Sequence, residues 1–218
     1  MLTKTFFNKI ETQSDSLREQ LVSIPVINSC LQGDLDKQSY IAFLTEAYHH
    51  VKHTVPLLMA CGSRLPERLE WLREAVSEYI EEELGHQEWI LNDLKATGLD
   101  SESIRYAKPD SATELMVAYA YYLIDRVNPV AFFGMVLVLE GTSIALATHA
   151  SKNIQSALAL SVSAFSYLSS HGSLDLEHMD FYEKLMNKIT DKQDQQAIID
   201  AANMFYSLYG NIFRAIPV

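Results

Sequence analysis

Residues 171–186 read HGSLDLEHMDFYEKLM, and three side chains in this stretch govern how the rest of the chain is read. His171, Asp175 and His178 stand four and three residues apart. At 100° per residue they fall within about 60° of one helix face, while Glu177 points elsewhere. A surface helix with two exposed histidines would give the same spacing. The chain has only seven histidines, however, and two of them fall in this H-x-x-x-D-x-x-H pattern.

The 218 residues around this stretch are 48% hydrophobic and 21% charged, enough for one substantial core. With eight Gly, six Pro and no Gly/Ser- or Pro-rich linker, the expectation is a single domain over residues 1–218. The net charge of −11 argues against nucleic acid or an anionic membrane as the main partner, and it does not identify a substrate. Cys30 and Cys61 form neither a C-x-x-C pair nor a disulfide framework, and the first residues lack signal-peptide character. A cytoplasmic location is the expectation. PVAFFGMVLVLEGTSIALAT, residues 129–148, has the length of a membrane span, but Glu140 sits in its middle. It reads as a central helix wrapped by other helices.

Helix signals recur along the whole chain and strand alternation is nearly absent, so the fold class is all-α, a bundle of seven to nine helices. A first amphipathic helix covers about 3–22. A second opens after Asp36 as N-cap and runs into the low 60s, with Pro56 inside it as a kink or end. A third begins near Pro66 and stops at Gly98. Ser111 with Glu114 reads as a capping box for a helix to about 126, and Asn128-Pro129 opens the helix that carries Glu140. Further helices are expected near 152–169, 171–188 and 192–212.

An ionised carboxylate alone in a dry core costs several kcal/mol in practice, so Glu140 must be neutralised, paired with a base or bound to a cation. Its neighbours favour the cation. In EEELGHQEW, Glu83 and His86 are three apart and would share a helix face. Taken alone the pair is unremarkable, because Glu81, Glu82, Glu83 and Glu88 form a charge run of the kind that usually faces solvent. In chain order, though, come Glu46, Glu83-x-x-His86, Glu140 and Asp175-x-x-His178, on four separate expected helices. That is the order of dinuclear carboxylate centres in helical bundles. Carboxylates neutralise two divalent irons or manganese ions, and imidazoles fill further positions while leaving room for dioxygen.

YHHVKHTVPLL, EEELGHQEWILNDLKATG, VLEGTS and HGSLDLEHMDFYEKL together resemble the heme-oxygenase-like diiron proteins, the iron-containing redox enzymes whose fold is related to TenA and PqqC. The likeness runs from about residue 38 to the C-terminus. His171, which a ferritin-like site does not require, favours the heme-oxygenase-like architecture. The resemblance implies Glu83, His86, Glu140, His171, Asp175 and His178 as ligands to two irons, or to manganese in one or both positions, with dioxygen as co-substrate. It also implies a ligand on the helix before Glu83. There Glu46, His50 and His53 share a face: Glu46 has the usual chemistry and His50 the better-matched position, while His49 faces elsewhere and reads as structural, as does His149. Homodimerisation is expected by analogy with the fold alone.

The activity these features imply is that of a non-haem dinuclear iron oxidase or oxygenase acting on a small organic substrate. A TenA-type thiamin-pyrimidine hydrolase is the alternative enzyme, but it needs a nucleophilic cysteine, and Cys30 and Cys61 lie too early in the chain for the usual one. A non-enzymatic ligand-binding bundle is the third reading. Six aromatics (Tyr48, Tyr119, Tyr121, Tyr122, Phe132 and Phe133) could line a substrate cavity, although ordinary core packing is the better explanation of them.

Overall fold

In the computed structural model of the chain the described residues are 5–217, with side chains described for all of them except 145, 147–153, 156 and 171–177. Helices joined by short turns and loops make up the described residues, and no strand occurs among them. The fold is all-α. In chain order the helices are α1 (Phe6–Val22), α2 (Pro25–Gln32), α3 (Lys37–Val51), α4 (Thr54–Arg64), α5 (Glu70–Glu83) and α6 (His86–Ala96). They are followed by α7 (Ser101–Arg105), α8 (Ser111–Tyr122), α9 (Phe132–Leu158), α10 (Ser166–Met186) and α11 (Lys192–Ala215).

Helix α9 is the axis of the molecule and packs against α2, α10 and α11. Its first half is apolar on nearly every side, with Phe133 and Val138 at 0% exposure, as a helix surrounded by others requires. Gly134 allows the closest approach. A Cβ there would lie 2.6 Å from the backbone nitrogen of Ala202, so α9 and α11 touch backbone to backbone. Among the described residues no helix is long and apolar enough to cross a membrane.

Several helices that read as continuous in sequence are divided. The expected second helix ends at Val51, and α4 starts at Thr54. Pro56 has no N–H, and its ring would collide with the carbonyl four residues back, so the break falls just before it and leaves Pro56 in the first turn of α4, where proline is tolerated. The expected third helix divides at Leu84-Gly85, where Gly85 takes φ +91°, a left-handed conformation that suits glycine. Asp36 caps α3 as expected, accepting the Ser39 N–H at 2.7 Å. At α8 the cap is Asp110, one residue before the expected Ser111, and it accepts the Ala112 N–H at 2.8 Å. The expected helix over 152–169 does not stand alone: α9 continues to Leu158, a short 3-10 turn covers Val162–Ala164, and α10 begins at Ser166.

Two helices take N-terminal caps from distant parts of the chain. Asp93 on α6, fully buried, accepts the N–H groups of Ser166 at 3.0 Å and Tyr167 at 2.9 Å, and so holds the start of α10. Glu46 on α3 accepts the Asp110 N–H at 3.1 Å and the Thr113 hydroxyl at the start of α8. Each carboxylate satisfies helix donors that would otherwise lack partners, and each sits at the positive end of the helix dipole.

Candidate metal centre

His86 of α6 and His178 of α10 line one pocket together with Glu82, and the candidate ligands of three further helices meet at another cavity, of about 80 Å³. His50 comes from α3, Tyr79 and Glu83 from α5, and Glu140 from α9, and all four line it. Glu140 lies midway along the apolar half of α9, and its side chain is only 12% exposed. His178 on α10 presents Nδ1 3.6 Å from Glu140 Oε1. His86 opens α6 and places Nδ1 3.0 Å from Glu83 Oε2. The histidines at 50, 86 and 178 are all buried.

The hydrogen bonding orients these imidazoles. A carboxylate accepts, so the nitrogen of His86 that meets Glu83 carries the proton, and Nε2 is left as the donor atom for a cation. His178 Nε2 lies 3.0 Å from Glu82 Oε2, which turns Nδ1 toward Glu140. The His86 ring stacks on Trp89 with centroids 4.0 Å apart. The edge of the His178 ring meets Tyr79 at 6.0 Å. A carboxylate field is felt throughout this region. The phenols of Tyr79 and Tyr182 are pushed far above the usual tyrosine value, by burial first and then by Glu140.

The candidates on α3 separate clearly. His50 is in the cavity wall, its ring edge-on to Tyr209. Glu46, expected as a carboxylate ligand, is instead committed to the N-terminus of α8. Its spacing from His50 puts both on one face, but α8 rather than the cavity covers the Glu46 turn. His53 does not share their face as expected: it lies beyond the end of α3, at the N-cap of α4, and packs against Tyr121. His49 is buried beside Lys52 at 3.2 Å, and burial followed by the Lys52 charge pulls its pKa down to about 4, in keeping with a structural role. The expectation that Glu83 and His86 share a helix face is corrected: they belong to different helices, and the Gly85 turn brings them together. His171, Asp175 and His149 lie outside the described residues, as side chains, although the backbone of each is helical. Among the described residues, no three His, Cys, Asp or Glu side chains gather into a ready cation cage.

Two contributors escaped the sequence. Glu82 looked like part of a solvated charge run, yet it holds His178. Tyr79 stands four residues before Glu83, and that spacing alone would have placed it on the same face of α5. Of the six aromatics weighed as cavity lining, Phe132 is the one in this wall.

The donor set fits iron or manganese. It consists of imidazole nitrogens with carboxylate oxygens and no thiolate, and it is buried enough that the carboxylates gain from a cation. The thiols do not fit a nucleophilic role: burial pushes Cys30 up to about 11 and Cys61 up to about 12.

Comparison with known proteins places the chain in a family and a fold. The family described as iron-containing redox enzymes matches residues 41–210. No curated protein matches at a significant level. Among solved structures, a domain of unknown function with a heme oxygenase-like fold from Shewanella denitrificans OS217 is 24% identical, with a TM-score of 0.85 over 96% of this chain and 91% of that one. A TenA homolog from Pseudomonas syringae pv. tomato is 11% identical, with a TM-score of 0.79 over 96% of this chain and 91% of its own. Heme oxygenase-1 from the cyanobacterium Synechocystis, solved with heme, is 14% identical, with a TM-score of 0.76 over 96% and 91%. With the match spanning most of the sequence and a buried imidazole–carboxylate set at its centre, the chain belongs to the family of iron-containing redox enzymes, on the heme-oxygenase-like fold that TenA proteins share.

Proposed function

We propose that the protein is a non-haem dinuclear iron oxidase or oxygenase that acts on a small organic substrate in the cytoplasm. The observation that carries this reading is the approach of His178 to Glu140 across the α9–α10 interface, with Glu83 and His50 beside Glu140 in the wall of one cavity. Glu83, His86, Glu140 and His178 would hold the metal, together with His50 and with His171 and Asp175 of α10. Iron bound there would supply the activation of dioxygen that an organic oxidation needs.

The remaining work falls to the chain's own side chains. Glu83 and Glu82 fix the tautomer and direction of His86 and His178, so that each ring presents one nitrogen inward. Leu57, Leu58, Met135 and Leu139 give the cavity apolar walls, which keep bulk water from reactive species. Tyr182 is buried and donates to the Phe133 carbonyl at 2.9 Å, which ties α10 to α9 about two turns before Glu140. The TenA-type reading has the fold in its favour, but burial pushes both thiols up, away from the thiolate that a nucleophilic cysteine needs.

The test is anaerobic titration with ferrous iron followed by exposure to dioxygen. Two irons per chain, oxygen uptake and a new absorbance in the wild type are expected, with loss of both uptake and high-affinity binding in His178→Ala. Equal iron binding by wild type and His178→Ala would end the proposal.

A further inference from the structure

The cavity beside Glu140 is one of two that adjoin. A second, of about 50 Å³, shares Ser143, Tyr167 and Tyr209 with it as common walls. The second chamber has a different character. Val26 and Ile27 of α2, Phe43 of α3, Leu146 of α9 and Phe213 of α11 surround it, and no charged residue is among its described walls. The hydroxyl of Tyr40, which also reaches it, is already committed to the Ala164 carbonyl at 2.7 Å. Such a space is poor in polar partners, so water gains little by entering and an apolar ligand gains most.

The first chamber is polar at one specific point besides the candidate ligands. The Tyr79 hydroxyl is buried and has no hydrogen-bond partner among the described residues, although the side chain lines the cavity. A buried phenol in that state is a donor that a bound acceptor would satisfy. Helix α9 runs along both chambers. Ser143 stands three residues beyond Glu140, about 4.5 Å along the axis, and Leu146 about 9 Å. A molecule held at the Glu140 end would therefore pass Ser143, a small side chain, to reach the apolar chamber.

We infer that the substrate is an elongated amphiphile: an unbranched apolar arm lies in the second chamber, and a hydrogen-bond-accepting head lies beside Tyr79 in the first. Ser143 is the waist between them and sets the length of arm that can pass. The inference rests on the first chamber being the reaction site, but the binding it describes does not require metal. The two can therefore fail separately.

The probe is a series of straight-chain primary alcohols with about four to ten carbons, titrated calorimetrically into metal-free and iron-loaded protein. Each methylene that enters an apolar space should raise affinity about fourfold until the chamber is full, and the gain should then stop. Ser143→Phe should remove the dependence on chain length and leave the shortest alcohols little changed. Leu146→Trp, which narrows only the second chamber, should shorten the longest chain accepted, and it serves if Ser143→Phe does not fold. Tyr79→Phe should instead weaken every member of the series alike, by about threefold to tenfold, the worth of one hydrogen bond. Affinity that ignores chain length, or a length dependence that survives both filling variants, overturns the inference. The ferrous titration above would be untouched by that result.

Discussion

At Glu82 a carboxylate from the exposed side of α5 holds the outer nitrogen of His178, 3.0 Å away. Partners of this kind fix a ligating imidazole, and losing one typically costs about 10–100-fold in metal affinity. Glu82→Ala is therefore expected to weaken ferrous binding at least about tenfold while leaving the fold intact, as read by anaerobic calorimetry alongside circular dichroism. Unchanged affinity would mark the contact as incidental. A second carboxylate makes a prediction about pH. Asp194 on α11 is buried and accepts from Arg68 at 2.6 Å and from Asn128 at 3.0 Å. Burial alone would raise its pKa, but these hydrogen bonds and the Arg68 charge outweigh it and hold the group below the usual carboxylate range. Unfolded aspartate titrates near about 3.9. The stabilisation is thus complete above that value and is lost as pH falls through the lower folded value. Thermal melts of Asp194→Asn should start from a lower midpoint at pH 7 and fall less steeply than wild type in acid.

Among the elements, α9 positions the centre, and Gly134 sets where α9 lies. An added methyl would meet the Ala202 nitrogen at 2.6 Å and the Ile198 oxygen at 2.7 Å, both backbone atoms that cannot swing aside. Gly134→Ala should cost about 1–3 kcal/mol, the usual range for overpacking, and should lower iron affinity as well, because Glu140 rides on the displaced helix. A melt combined with a ferrous titration reads both effects. The elements also show what could be read beforehand. Asp36 and Gly98 announced their helix ends because a cap is local chemistry. The E-x-x-H spacing picked out a pair that does meet, but through the Gly85 turn and not through helical periodicity, and of the H-x-x-x-D-x-x-H triplet only the His178 side chain is described. The division at Gly85 was hidden, since a glycine inside an otherwise periodic run reads as a tolerated helical residue. Glu46 misled for a different reason. Its face was read correctly, but which neighbour covers that face depends on where α8 lies, and that is a tertiary fact. The roles of Glu82 and Asp93 were invisible for the same reason, because their partners are distant in sequence.

For the molecule as a whole, the candidate ligands come from α3, α5, α6, α9 and α10, so a cation bound by them would join most of the bundle. Ferrous iron that binds only the folded chain should stabilise it by about 2.7 kcal/mol at a hundredfold excess over its dissociation constant. For a chain of this size that is a rise of roughly 5–10 °C in melting temperature. Glu140→Ala should abolish the rise, whereas a rise that persists in the variant would place the iron elsewhere.

The long-range caps carry a consequence for biosynthesis. Asp93 precedes the helix start it serves by 73 residues, and Glu46 precedes its own by 64. In both cases the acceptor leaves the ribosome before the donor. A nascent chain folding from its N-terminus would hold α3 and α6 ready as templates on which α8 and then α10 could dock. An isolated peptide of residues 166–186 would lack its Asp93 anchor and should be mostly coil in water, and the order of translation would be part of how the oxidation centre is assembled.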